Sequence, residues 1–228
     1  MIRFENITLK IQQQTLLDET SLHLKPGDKL VLRGPSGCGK SSLLKAAVGA
    51  LPINSGRILF DGIELNAQNV ADIRSRVSFI GQEPVLGAER VLEALMLPFR
   101  YKAHRSRTVT GKQIAELLER LRLSTDILDK PSARISGGEK QRIAIARALL
   151  LDKSIFIADE ITSALDPESK EAVMAELFRP GITVLSVSHD PDWTEACTRR
   201  IKIENHRLVE SGAEPQTTLN TAVPGEVS

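Results

Sequence analysis

Nine consecutive residues limit what this chain can fold into more than any others: Gly34-Pro35-Ser36-Gly37-Cys38-Gly39-Lys40-Ser41-Ser42. They satisfy the spacing G-x-x-x-x-G-K-[ST], whose glycines turn the backbone tightly and aim several N–H groups at one point. A β-rich run, Lys29-Leu30-Val31-Leu32, precedes them, and an apolar, helix-favouring run, Leu43-Leu44-Lys45-Ala46-Ala47-Val48, follows. Strand, loop and helix in that order make a cradle for phosphate. A helix starting near Gly39 adds about half a positive charge at its N-terminus. Lys40 brings a full charge to the outer phosphates of a nucleoside triphosphate, and the Ser41 hydroxyl can meet Mg²⁺. A chance glycine-rich turn would reproduce the spacing without the flanking strand and helix.

Taken in order, the chain opens with the alternating runs Ile2 to Ile7 and Leu22 to Leu24, closed by the Pro26-Gly27-Asp28 turn. After the phosphate loop a helix runs to about Ala50, ahead of Pro52, and Arg57 to Phe60 with Asp61-Gly62 reads as a hairpin. Val77 to Ile80 is a short strand, and from Gln82 to Leu151 helical spacing takes over, as in Ile114-x-x-Leu117-Leu118-x-x-Leu121. Strands return at 154–158, 182–187 and 200–203, with helices near 168–178 and 192–197 between them, a βαβ pattern. The first two of these strands are continuous apolar runs, as in parallel sheets buried on both faces. Residues 211–228 lack aromatics and periodicity and read as a flexible tail.

A net charge of +1 argues against a nucleic-acid surface as the main business of the molecule. The longest apolar runs are too short for a membrane span, and the N-terminus does not have the pattern of a secretion signal. Two cysteines, Cys38 and Cys197, suit a reducing compartment, so the expected location is cytoplasmic.

Two further stretches carry chemistry. Ile155-Phe156-Ile157-Ala158 ends in Asp159-Glu160, and ligands of open α/β sheets collect at such carboxyl ends. Asp159 is the natural partner of a phosphate-bound Mg²⁺, and Glu160 is placed to deprotonate an attacking water. Taken alone, the acidic pair would equally cap the following loop. Ile135-Ser136-Gly137-Gly138-Glu139-Lys140-Gln141-Arg142 leads into the apolar run Ile143 to Leu151, with Ser136 as helix cap. Ser-Gly-Gly at a helix start is a second anion nest, where one nucleotide needs one. The surplus nest is either a packing device or serves a nucleotide held by a second copy of the chain.

Gly34 to Ser42, Ile135 to Arg142, Asp159-Glu160, Ser163-Ala164-Leu165-Asp166 and Ser188-His189-Asp190 together resemble the ATP-binding subunits of ABC transporters over about residues 2–210. The fold this implies is α/β: a P-loop NTPase with a RecA-like, mostly parallel core sheet, an N-terminal antiparallel β-subdomain and an inserted α-helical subdomain at about 83–151, within one domain of residues 1–210. By resemblance, Gly34, Pro35, Ser36, Gly37, Cys38, Gly39, Lys40, Ser41 and Ser42 hold ATP, Asp159 belongs to the Mg²⁺ site and Glu160 is the catalytic glutamate. Gln82 matches the glutamine that touches Mg²⁺ and the membrane partner, and His189 matches the histidine at the γ-phosphate. Ser136, Gly137, Gly138, Glu139 and Asp166 match groups that face the ATP of the opposite protomer. Read alone, Gln82 before Pro84 suits turn chemistry and His189 suits a polar strand end.

The resemblance implies a homodimer closed by ATP and Mg²⁺, an integral membrane permease as partner, and a place on the inner face of the membrane through that permease. No nucleic-acid partner is expected. Three positions depart from the family. Leu9 stands near the place of an adenine-stacking aromatic, Ile135 replaces leucine, and Ile161 replaces proline. Ile161, the short length and Gln82-Glu83-Pro84-Val85-Leu86 resemble the iron-export branch. The basic run Arg100-Tyr101-Lys102-x-His104-Arg105-x-Arg107 is most simply a solvated face. A mechanical ABC ATPase acting on DNA or ribosomes would need a coiled-coil insertion or two fused halves, and a small-molecule kinase would have no use for the second nest.

Overall fold

The computed structural model describes residues 1–211. The chain begins with a long hairpin, β1 (Ile2–Ile11) and β2 (Gln14–Leu24), followed by β3 (Lys29–Arg33) and α1 (Lys40–Ala47). Next come β4 (Ser55–Phe60), β5 (Ile63–Glu64), α2 (Val70–Arg76) and β6 (Val77–Ile80). Three helices follow, α3 (Val91–Met96), α4 (Gly111–Arg120) and α5 (Gly137–Leu150), linked by short 3-10 turns. The chain then alternates through β7 (Ile155–Asp159), α6 (Pro167–Leu177), β8 (Thr183–Val187), α7 (Pro191–Ala196), β9 (Arg199–Glu204) and β10 (Arg207–Ser211).

The strands form two sheets, a four-stranded antiparallel one in the order β2-β1-β4-β5 and a six-stranded one in the order β10-β9-β3-β8-β7-β6. In the second sheet every pairing but β9–β10 is parallel. The continuous apolar runs of β3 and β7 make sense in this arrangement. Successive side chains point to opposite faces, and both faces are covered. Leu30, Leu32, Ile155 and Ile157 pack toward α1 and the antiparallel sheet. Val31, Phe156 and Ala158 face α3, α4 and α5. The six-stranded sheet is therefore the shared wall of two apolar layers.

Register places the chemistry. β3, β8, β7 and β6 are consecutive neighbours running the same way, with Leu32 level with Val187, Val187 with Asp159, and Ala158 with Ile80. Their carboxyl ends thus deliver Gly34, Ser188-His189, Asp159-Glu160 and Gly81-Gln82 to one edge of the sheet. A buried hydrogen-bond chain ties this region to its support: Trp193 Nε1 donates to Ser186 Oγ at 2.9 Å, and that hydroxyl donates to the Leu30 carbonyl at 3.0 Å.

Three observations differ from the sequence reading. The opening strands extend well past Ile7 and begin well before Leu22, because bulges let polar residues stay in the ladder. Helix α2 stands where the sequence reading placed no element; its short helix buries only Ile73, too little for a visible period. Leu9, read as standing near the place of a missing stacking aromatic, lies on β1 of the opening hairpin with its side chain fully buried in the core, a depth the sequence did not show. The exposed apolar side chain on that hairpin is Ile11, at 45 %. The reading of 211–228 as a flexible tail falls, beyond Ser211, outside the described residues.

Candidate functional site

The phosphate loop leaves β3 at Gly34 and enters α1 at Lys40. Gly39, the residue before the helix, has φ 107°, where a side chain would be strained, and a Cβ there would come within 3.0 Å of Leu16 Cβ. Only glycine lets the loop close on the β1–β2 hairpin here. No side chain caps α1 and its first turn carries no acid, so its N-terminal field is not offset. Among the described residues, the N–H groups of Gly37, Gly39, Lys40 and Ser41 have no protein acceptor. Lys40 is buried, and its ammonium folds back across the loop, donating to the Gly34 and Pro35 carbonyls at 2.8 and 2.9 Å. Pro35, Ser36 and Gly37 are exposed, while Cys38 turns beneath Gly34 toward Ile203.

Next to the loop, Ser41 Oγ donates to Asp159 Oδ1 at 3.0 Å. Asp159 is 6 % exposed at the end of β7. A buried carboxylate whose one hydrogen-bond partner among the described residues is a neutral hydroxyl, beside a helix N-terminus, forms with it a hard oxygen donor pair of the kind Mg²⁺ takes. Glu160 follows with φ 49°, a left-handed conformation that a non-glycine residue holds only under constraint. Its N–H donates to the Val187 carbonyl at 2.9 Å, which fixes the turn. Gln82 Nε2 donates to Glu160 Oε2 at 3.3 Å, and His189 Nε2 lies 3.7 Å from Glu160 Oε1. Glu160 is therefore held between Gln82 and His189, the ends of β6 and β8.

Ser136, Gly137, Gly138, Glu139 and Asp166 stand apart from this cluster, with no hydrogen bond to it among the described residues. The second nest is narrower than the sequence suggests. Ser136 Oγ accepts from the Glu139 N–H at 3.2 Å, and Glu139 Oε2 accepts from the Ser136 N–H at 2.7 Å, a capping box. The Ser136 N–H holds the Glu139 carboxyl below the usual carboxylate range, so the first turn of α5 carries its own negative charge. Its two glycines differ: a Cβ on Gly137 would meet nothing, whereas one on Gly138 would sit 2.9 Å from the Ala164 carbonyl oxygen. Gly138 answers to packing within the subunit, and Gly137 lies open at the surface. Asp166 caps α6, accepting from the Ser169 N–H at 2.9 Å and the Ser169 hydroxyl at 2.6 Å, which lowers its pKa.

Sequence reasoning missed the groove beside the phosphate loop, where Gln14, Thr15, Leu16, Asn205 and His206 meet Pro35, Gly37 and Cys38. These come from two hairpins far apart in the chain, joined by the Asp18 N–H to His206 carbonyl bond of 2.8 Å, and no local pattern announces them.

A phosphate loop ending a buried parallel strand, with an acidic pair on the next strand but one, defines a P-loop nucleotide hydrolase. Comparison narrows the class. Residues 17–163 match the family model described as ABC transporter. The chain is 33% identical over 210 residues to "Probable iron export ATP-binding protein FetA" of Escherichia coli (strain K12), covering 90% of this chain and 92% of that protein. It is 36% identical over 207 residues to "Glutamate/aspartate import ATP-binding protein GltL" of the same organism, covering 88% and 86%. Among solved structures, a post-hydrolysis dimer of the ATP-binding cassette MJ0796 bound to ADP and Pi superposes with a TM-score of 0.78 at 29% identity, covering 92% of this chain and 98% of that one. The chain belongs to the ABC transporter ATPase family and is an ATP-binding, ATP-hydrolysing subunit.

Proposed function

We propose that two copies of this chain close head to tail on ATP and drive a membrane permease. Each ATP is held between Gly34–Ser42 of one copy and Ser136–Glu139 with Asp166 of the other. The observation that carries this reading is the convergence of Lys40, Ser41, Asp159, Glu160, Gln82 and His189 at one sheet edge, with an exposed Gly137 face standing apart from it. A single subunit then holds a phosphate cradle and a base but leaves one side of the nucleotide uncovered.

The residues divide the work. Lys40 must leave the Gly34 and Pro35 carbonyls to reach a phosphate, so binding exchanges two internal hydrogen bonds for charge-assisted ones. Ser41 and Asp159, with the Gln82 amide, would hold Mg²⁺, which neutralises phosphate charge when bound. Glu160 takes a proton from the attacking water as the γ-phosphoryl leaves ADP, and His189 donates toward the γ-phosphate. ATP joins the two surfaces by contacts that ADP and phosphate no longer make, so hydrolysis reopens the seam.

Among the described residues no helix is long and apolar enough to cross a membrane, which suits a subunit that reaches the inner face of the membrane through a permease. Our reading of the cargo is iron export, on Ile161, the segment Gln82–Leu86 and the FetA similarity. The GltL similarity supports a second reading, amino-acid import. Transport assays with the permease purified alongside this chain separate the two. The shared-site reading is tested by Glu160→Gln, which is expected to run as an ATP- and Mg²⁺-dependent dimer on gel filtration. A variant that stays monomeric at saturating nucleotide contradicts it.

A further inference from the structure

The two segments assigned to the partner's nucleotide, Ser136–Glu139 and Asp166, touch one another's supports inside each subunit. Arg142, one turn beyond Gly138 on α5, donates through Nη1 to the Ser169 hydroxyl. That hydroxyl donates in turn to Asp166 Oδ2 at 2.6 Å, and the Ser169 N–H holds the other carboxylate oxygen at 2.9 Å. Ser169 is 1 % exposed, so water cannot take over its role. Close by, Gly138 lies against the Ala164 carbonyl so tightly that a methyl group would stand 2.9 Å from it. A guanidinium chain and a backbone contact thus join the start of α5 to residues 164–166.

We infer that Arg142 and Ser169 are positioning residues that lock the Ser136–Glu139 turn and Asp166 into one rigid half-site for the partner's ATP. This deepens the shared-site reading and rests on it. Arg142 is held by little else: Nη1 also donates to the Arg122 carbonyl at 3.3 Å, and its buried Nε has no partner among the described residues. Removing the Ser169 hydroxyl therefore leaves the guanidinium only the Arg122 carbonyl among the described residues and frees one oxygen of Asp166. The cap on α6 survives through the Ser169 N–H. Among the described residues the phosphate loop of the same subunit makes no hydrogen bond to Arg142, Ser169 or Asp166, so its own hold on ATP is expected to survive.

The test uses the full chain carrying Glu160→Gln. To this parent are added Ser169→Ala, Arg142→Lys, or both, and three quantities are measured. These are ATP affinity at protein concentrations that keep the chain monomeric, the ATP-dependent dimer dissociation constant, and the thermal midpoint read from Trp193 fluorescence. Monomer affinity is expected to stay within about twofold. Dimer dissociation is expected to rise about tenfold, the scale of one charge-assisted hydrogen bond. Arg142→Lys keeps the charge and loses the planar fork, and the double variant is expected to be no worse than either single one. Unchanged dimerisation in both single variants overturns the inference, as does a parallel loss of monomer affinity and thermal midpoint, which marks a merely structural role. A Glu160→Gln parent that never dimerises overturns the shared-site reading itself, and this inference with it.

Discussion

Glu160, the base we propose, illustrates how a single residue is held in place. Its backbone sits at φ 49°, pinned through the Val187 carbonyl, and its carboxylate lies between Gln82 and His189. Each of those partners ends a different strand, so the geometry belongs to the sheet and not to any local motif. The adjacent glycines of α5 make the same point from the opposite side, and they can be tested as a pair. Gly137 takes no positive φ and has open space, so Gly137→Ala is expected to stabilise the isolated subunit by about 0.4–1 kcal/mol while lowering ATPase activity, because the added methyl stands on the face assigned to the partner's ATP. Gly138→Ala drives a methyl into the Ala164 carbonyl and is expected to cost about 1–3 kcal/mol. Denaturant unfolding followed by Trp193 fluorescence measures both. A Gly138→Ala chain as stable as its parent would remove the close-contact argument.

At the scale of elements, the sequence announced whatever has a strong local period or a special loop. The strands 155–159 and 183–187 were legible because burial on both faces demands unbroken apolar runs, and α5 was legible from Ser136 and its apolar repeat. Helix α2, the depth of Leu9 and the groove at His206 were not legible, since each depends on a neighbour distant in sequence. The same holds for Lys153, just before β7, whose ammonium donates to the Arg74 and Val77 carbonyls at 3.2 and 2.9 Å. Burial, and after it the nearby charge of Arg107, pushes its pKa down to about 8. In the unfolded chain it titrates near about 10.4. Between those values the unfolded chain keeps a proton that the folded chain has released, so this residue makes stability rise as pH climbs through that window. The difference in unfolding free energy between the parent and Lys153→Met is expected to grow in favour of the parent from pH about 8 to about 10. A difference that stays flat rejects the assignment.

Across the whole molecule, the function we propose asks one sheet edge to serve both the nucleotide and the segment beyond Gln82. The link on the far side is Arg147 of α5, whose guanidinium donates to the Leu86 carbonyl at 2.8 Å and the Val85 carbonyl at 2.9 Å. Burial lowers its pKa, yet an arginine stays charged, so the two carbonyls receive strong, fixed hydrogen bonds. They hold the segment that carries Val85, 76 % exposed, in a defined shape on the surface beside Phe79 and Pro98. Because α5 also begins with Ser136–Glu139, the dimer closure we propose would shift the Val85 segment together with that helix. Arg147→Ala removes the connection without touching Lys40, Asp159 or Glu160. It is expected to cost about 1–3 kcal/mol through the carbonyls left unpaired. Basal ATPase activity of the isolated subunit is expected to stay within about twofold, while stimulation by the co-purified permease falls about tenfold, within ordinary coupling energies. Equal stimulation of the variant and its parent would mean that the segment after Gln82 holds its shape without α5, and that motion reaches the permease by another path.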